Sequence, residues 1–397
     1  MKRAVRDRSG EVVFVAHAVG GLGGMERQTA HLVAGLLDAG WTVTVIARTC
    51  KLSPRTGLRF VRVGGPRRPF TLAYPAFAVV AMIRAARRGD ALLHTTGAIV
   101  ANRTDVSSVH YCHRAARAAL GSPRAARANP MYRMNATVAA WLAAAGESWC
   151  YRPQRARVLC AVSQGVAREL DAHFPSMGHA VRTVPNGVDI SEFKPDLTAR
   201  RELRARLGIR DGACLALFAG GDWQRKGLRH AVEGLTLAPN WHLAVAGDGD
   251  RQALSGLAAE ERTEGRLHFL GQVQDMPRVY ASADAFVFPT AYEAFPLAML
   301  EAAASGVPLL VTRVSGAEDL LEDGSNGWFI SPDAGDIARR LNQLAGDLSL
   351  ARRMGEAARV AAAEFTWETA VEGYLAVYSE LARHAARRKP ESVPVEP

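Results

Sequence analysis

Two tandem α/β domains, each a doubly wound parallel sheet and facing each other across a cleft, are the fold this sequence predicts. A length of 397 residues with 48 % hydrophobic content exceeds what one ordinary core accommodates. The chain opens with strand, glycine loop, helix and strand, the βαβ order that starts a parallel sheet. The same order restarts after a turn-rich stretch at residues 181–195. Two sheets of this kind place their strand C-terminal edges around a cleft, where open α/β sheets bind ligands.

The first half reads as strand 12–17, helix 26–39 and strand 42–47, followed by strands at 59–63, 91–94, 106–111 and 158–162. Ser163 follows the last of these as a helix N-cap. In the second half come strand 214–219, helix 228–235, strand 242–246, a Gly-Asp-Gly-Asp turn, strand 267–270 and a short helix 276–282. The apolar run Ala285 to Phe288 is a buried strand stopped by Pro289 and Thr290. Leu297 to Ala304 is then helical, and 308–312 is a further strand. The expected division is 1–190, 191–366, a terminal helix 367–388 and a disordered, proline-containing tail 389–397. On that helix Tyr374, Val377, Tyr378 and Leu381 share related faces.

The net charge of +10 hides a polarity, since residues 1–190 carry +16 and the remainder −6. No nucleic-acid-binding module accompanies the basic half, so nucleic acid is not an expected partner. An anionic membrane surface or an acidic lipid acceptor suits it better, and arginine-rich, GC-rich coding is the alternative. Two stretches could lie in a headgroup plane: Leu72 to Arg88, and Arg114 to Arg157 with Tyr132, Trp141, Trp149 and Tyr151. No apolar run approaches the roughly 20 residues of a membrane span. The start of the chain, with Lys2, Arg3, Arg6, Asp7 and Arg8, reads as lead-in to a buried strand, not as a signal peptide. The five cysteines show no metal spacing and fit a reduced compartment, so the expected setting is cytoplasmic, with contact to the inner face of a membrane.

The segment 286–301 carries the chemistry. Glu293 falls in the strand-to-helix turn and Glu301 two helical turns later, on a similar side. Between them, backbone at Phe295, Pro296 and Leu297 lies at a helix N-terminus, where free N–H groups favour an anion such as phosphate. The turn after strand 214–219 supplies Arg225 and Lys226, which together can neutralise a departing diphosphate. Asp248-Gly249-Asp250 invites a metal, but in a βα turn these are ordinary turn residues, and no metal is assigned. The first glycine loop, Gly20 to Arg27, misses the G-x-G-x-x-G pattern, and the second strand ends at Arg48 in place of an acidic ribose ligand. That disfavours a dinucleotide oxidoreductase.

Glu293 to Glu301 resembles the E-x7-E signature of glycosyltransferase family 4, retaining nucleotide-sugar enzymes of the GT-B fold. The Gly-Gly-x-Glu-Arg loop, the Arg225–Lys226 pair and the order of elements across residues 12–384 are similar to that family as well. The resemblance implies that Glu293 holds hydroxyls of the donor sugar and Glu301 those of the ribose. It implies that backbone at Gly23 and Gly24 approaches the diphosphate, and that Val273 borders the nucleobase. A histidine near the donor sugar is implied too, with His110 the first candidate and His113 its competitor. In Ala294 and Pro296 the chain departs from glycines common in the family, which leaves the sugar open.

The activity implied is transfer of a hexose-type sugar from an NDP-sugar, UDP- or GDP-linked, to a hydroxyl of a glycan, a lipid-linked acceptor or a small molecule. Retention of configuration and independence of metal and cofactor come with it. A nucleotide-sugar epimerase or a non-catalytic nucleotide-sugar binding protein is the alternative.

Overall fold

The computed structural model describes residues 10–388 apart from 22, 67–69 and 121–129. The N-terminal charges Lys2 to Arg8, the tail 389–397 and the side chain of Tyr132 lie outside the described residues.

The first sheet has seven parallel strands in the spatial order Leu58–Arg62, Thr42–Ala47, Glu11–Val15, Leu92–Thr96, Thr104–Val109, Ala156–Ala161, Val181–Thr183. The second has six, in the order Leu267–Gly271, Trp241–Ala246, Cys214–Ala219, Ala285–Phe288, Leu309–Val311, Gly327–Phe329. In both, the first strand in sequence lies beside the second and the fourth strands of its half. That order reversal is the switch point at which a doubly wound sheet opens a crevice. Cys214–Ala219 and Ala285–Phe288, central in the second sheet, are buried on every residue, which is why they read as unbroken apolar runs.

Two boundary shifts bear on the site. The strand placed at 106–111 runs Thr104–Val109, paired with Ala156–Ala161, so His110 and Tyr111 belong to the turn that follows. The first strand ends at Val15, two residues before His17. Gly327–Phe329 is a strand that the sequence did not suggest: three residues at a sheet edge are too few to display a period.

The chain crosses between the sheets twice at one point. Val188 bridges Thr366, and a Cβ on Gly187 would sit 2.3 Å from the Thr366 backbone, so only glycine admits so close an approach. Beyond that crossing, helix Trp367–Arg388 lies against helix Gly24–Asp38 of the first domain, burying Tyr374, Val377, Tyr378 and Leu381 in its core. The buried tyrosine hydroxyls are satisfied. Tyr374 bonds Ser108, and Tyr378 bonds His94, whose other nitrogen meets Ser108 at 2.7 Å. Burial holds His94 neutral, far below the ordinary histidine pKa. All five cysteines are free.

Candidate functional site

At the end of strand Cys214–Ala219 the chain turns through Gly220 to Gly227 into helix Leu228–Thr236. Gly227 is left-handed at φ 72°, and a Cβ there would lie 2.1 Å from the carbonyl oxygen of Pro289. The turn is thereby pressed onto the Glu293 segment. Arg225 Nη1 lies 2.9 Å from Glu293 Oε1, and Lys226 Nζ 3.2 Å from the same oxygen. Arg225 also reaches Asp222 through Nε at 2.8 Å and donates to the carbonyl of Tyr292, while its own carbonyl accepts from Ala291. Lys226 stands 4.7 Å above the ring of Phe288. Burial disfavours the charge on Arg225, but Glu293 and Asp222 outweigh it and raise its pKa. The structure therefore gathers Glu293, Arg225 and Lys226 into one small, partly buried charge cluster.

Glu301 is 7 % exposed on helix Leu297–Ala304. Its Oε2 accepts from the Tyr280 hydroxyl at 2.8 Å, and its Oε1 pairs with Arg27 Nη1 at 2.7 Å. Burial raises the Glu301 pKa, opposed by Arg27 and Tyr280. Arg27 belongs to helix Gly24–Asp38, and a Cβ on Gly24 would meet Leu297 Cδ1 at 3.2 Å. Two helix N-termini, capped by no side chain at Gly23 and Pro296, thus lie side by side from opposite domains. Helix N-termini without a side-chain cap favour an anion. Sequence reasoning named Gly23, Gly24, Phe295, Pro296, Leu297 and Glu301, and missed Arg27 and Tyr280. The Glu-Arg of the glycine loop was the available signal, but its partner lies 274 residues away in sequence.

Across the cleft, the ring of Tyr111 stands 5.0 Å from that of Tyr292 and 4.8 Å from His113. The Tyr292 hydroxyl donates to Glu169 Oε2 at 2.8 Å, and the Ser315 hydroxyl donates to Glu169 Oε1 at 2.9 Å. Ser163, the N-cap of helix Gln164–His173, donates to the carbonyl of Ala294 at 2.8 Å. The residues on both sides of Glu293 are therefore anchored to the first domain. Tyr292 and Glu169 carried no sequence motif.

His110 sits at the start of the Tyr111 turn with Nε2 buried and unpartnered among the described residues. Burial lowers its pKa to about 4, so the ring is neutral at pH 7 and can hydrogen-bond without carrying charge. His113 is exposed at the first position of helix His113–Leu120. The orphaned nitrogen distinguishes His110 from its competitor. Val273, half-buried in the turn after Leu267–Gly271, packs against the core at the sheet's edge and joins neither charge cluster. Nearby, Asp250 caps helix Arg251–Glu260 by accepting from Ala253 N at 3.0 Å, and Trp223 stacks on Phe269 at 5.6 Å.

Glu147, on helix Pro130–Cys150, accepts from the backbone N–H groups of His113 at 2.7 Å and Arg114 at 3.2 Å. Burial pushes its pKa up to about 7 against those two bonds. Between about pH 4.5 and about pH 7 the native state then holds a proton that the unfolded chain has released, so stability falls as pH rises through that window. Glu147→Gln keeps an acceptor there and removes the titration. Urea unfolding of the variant should show a flatter pH dependence over the same window, and an unchanged slope would assign it to another group.

Residues 22–192 match the family described as Glycosyltransferase Family 4, and residues 199–361 match Glycosyl transferases group 1. A D-inositol 3-phosphate glycosyltransferase from Nocardia farcinica is 33 % identical over 228 residues, 54 % of this chain. The match spans 50 %, about half, of that relative's length. Among solved structures, WaaG, a glycosyltransferase involved in lipopolysaccharide biosynthesis, superposes with a TM-score of 0.77 at 19 % identity, over 91 % of this chain and 98 % of that one. Anabaena HepE, solved in complex with UDP-glucose, gives 0.69 at 17 %, over 95 % and 99 %. At these identities the likeness is one of fold, and the fold is GT-B. With one match on each half, the chain belongs to glycosyltransferase family 4.

Proposed function

We propose that this protein transfers a hexose-type sugar from a UDP- or GDP-sugar to an acceptor hydroxyl, with retention of configuration and without a metal. The observation that carries the reading is the juxtaposition of the Glu293–Arg225–Lys226 cluster with the two uncapped helix N-termini at Gly23 and Pro296. Both carboxylates are engaged by cations, and a donor offers each of them new partners. The diphosphate takes Arg225 and Lys226 from Glu293, which turns to the sugar hydroxyls, and the ribose hydroxyls take the place of Arg27 on Glu301.

As the bond from the anomeric carbon to the diphosphate breaks, negative charge grows on the leaving oxygen, and Arg225, Lys226 and the backbone N–H groups of Phe295 and Leu297 stabilise it. The leaving phosphate oxygen takes the proton of the acceptor hydroxyl, so no general base is demanded. Neutral His110 borders the sugar as a hydrogen-bonding group. The donor half-site is shared between domains, and donor binding closes the cleft. That a solved fold neighbour is complexed with UDP-glucose supports the donor class. A glycan, lipid-linked or small-molecule acceptor enters from the basic first half, which also contacts an anionic membrane from the cytoplasmic side.

The test is slow hydrolysis of UDP- and GDP-sugars in the absence of acceptor, with the released anomer read by NMR. One donor should be hydrolysed with its configuration initially retained, and EDTA should leave the rate unchanged. Inversion, loss of activity on chelation, or conversion of the nucleotide sugar into its epimer would each overturn the proposal.

A further inference from the structure

Two helices of the first domain leave a stripe of large apolar side chains in water. On helix Phe70–Ala85, Leu72, Val79 and Ile83 are 64 %, 51 % and 51 % exposed. At 100° per residue they form one stripe about 40° wide. On helix Pro130–Cys150, Met134, Val138, Trp141 and Trp149 are 64 %, 40 %, 61 % and 45 % exposed, within an arc of about 80° by the same arithmetic. The helices are neighbours, since a Cβ on Gly146 would lie 3.9 Å from the Tyr74 hydroxyl. Their C-terminal ends are tied to one loop, Asn102 Nδ2 bonding the Met82 carbonyl at 3.2 Å and Cys150 Sγ the Val100 carbonyl at 3.3 Å.

Around that junction stand Arg84, Arg87, Arg88, Arg103, Arg152 and Arg155. Arg88 reaches the Arg103 carbonyl, Arg155 reaches that of Ala101, and Arg152 and Arg155 lie over the ring of Trp149 at 5.4 Å and 4.5 Å. None of the six has a carboxylate within ion-pairing distance among the described residues, in contrast to Arg200, Arg204 and Arg225 of the second domain.

We propose that this face docks onto an anionic lipid bilayer, with the apolar stripes entering the headgroup boundary and the arginine cluster meeting lipid phosphates. The proposal gives the membrane contact of the basic half a named surface, and rests on that part of the functional reading. Contiguous apolar surface rimmed by charge marks an interaction site. Indole rings beside guanidinium groups suit a boundary that is apolar on one side and wet on the other. No helix among the described residues is long and apolar enough to cross a membrane, so these helices lie along the surface. A second copy of the chain is the weaker occupant: a two-fold contact would set one unneutralised arginine cluster against another. Tyr74 also lies 5.5 Å from His17, just beyond the C-terminal end of the first strand. The N-terminal end of helix Phe70–Ala85 therefore lies at the cleft edge of the sheet, while the arginine cluster stands at the opposite edge, beside the strand starts at Thr104 and Ala156.

Co-sedimentation with phosphatidylglycerol-containing and pure phosphatidylcholine vesicles tests this. The protein should bind the anionic vesicles, and salt should release it. The triple variant Leu72→Ser, Trp141→Ser, Trp149→Ser should lose at least about tenfold in partitioning. Replacing Arg84, Arg87 and Arg152 by Gln should lose roughly fivefold per arginine. Both sets should keep the wild-type circular dichroism and donor hydrolysis in solution. Equal binding to neutral and anionic vesicles, variants that bind as well as wild type, or a wild-type dimer that the serine variant dissolves would overturn the proposal. Failure of donor hydrolysis with vesicle binding intact would strike the catalytic reading alone.

Discussion

Glu293→Ala is expected to lower kcat at least about a hundredfold, about 3 kcal/mol of transition-state stabilisation, with the fold intact. The fold should survive because Arg225 keeps Asp222 and the Tyr292 carbonyl, and the flanking residues stay anchored through Tyr292–Glu169 and Ala294–Ser163. The same variant should bind free nucleoside diphosphate more tightly than wild type does. Glu293 competes with the diphosphate for Arg225 and Lys226, and its removal leaves both cations open to the ligand. Lower turnover with tighter product binding separates a sugar-holding carboxylate from one that only orders the turn, whose loss would weaken both. Steady-state kinetics and calorimetry with UDP and GDP give the two readings, and activity within about tenfold of wild type removes Glu293 from the mechanism.

Lys226→Ala is expected to cost about 10² to 10³ in kcat, the range seen when one preorganised donor to a developing oxyanion is removed. It is a cleaner probe of leaving-group stabilisation than Arg225→Ala. The Arg225 side chain also donates to the Tyr292 carbonyl, so its loss loosens the Glu293 turn as well. The Lys226 side chain makes its ion pair with Glu293 and stands over Phe288 without bonding the turn's backbone among the described residues. Donors with better leaving groups should restore much of the lost rate, because a phosphate that leaves easily needs less help. A rate that stays equally depressed for every leaving group would move Lys226 from the chemical step to ground-state binding.

Much of this site is readable along the chain because local rules govern it. Pro289 and Thr290 end a buried apolar run, Leu297 begins a helix, and the observed helix is Leu297–Ala304, with the bounds its pattern suggests. Gly227 and the Asp250 cap follow from turn and capping chemistry in the same way. Element order alone then brings the ends of the central strands to one crevice. Where local signals are weak the reading drifts. His110 was placed inside a strand that stops at Val109, because apolar alternation does not mark where a strand leaves its partner.

The sequence by itself determined two doubly wound domains, the E-x7-E turn and the Arg225–Lys226 pair, all of which depend on residues within one or two elements of each other. Only the tertiary structure decided that Arg27 occupies Glu301, that Glu169 holds Tyr292, and that His110 keeps a nitrogen without a partner among the described residues. Those contacts join side chains more than a hundred residues apart, or depend on what fails to arrive, and spacing encodes neither. The stripes on helices Phe70–Ala85 and Pro130–Cys150 make the same point, since the pattern that would fill a core also describes a face left exposed. What distinguishes them is whether another element packs there, and the competition of all elements for a limited buried volume settles that.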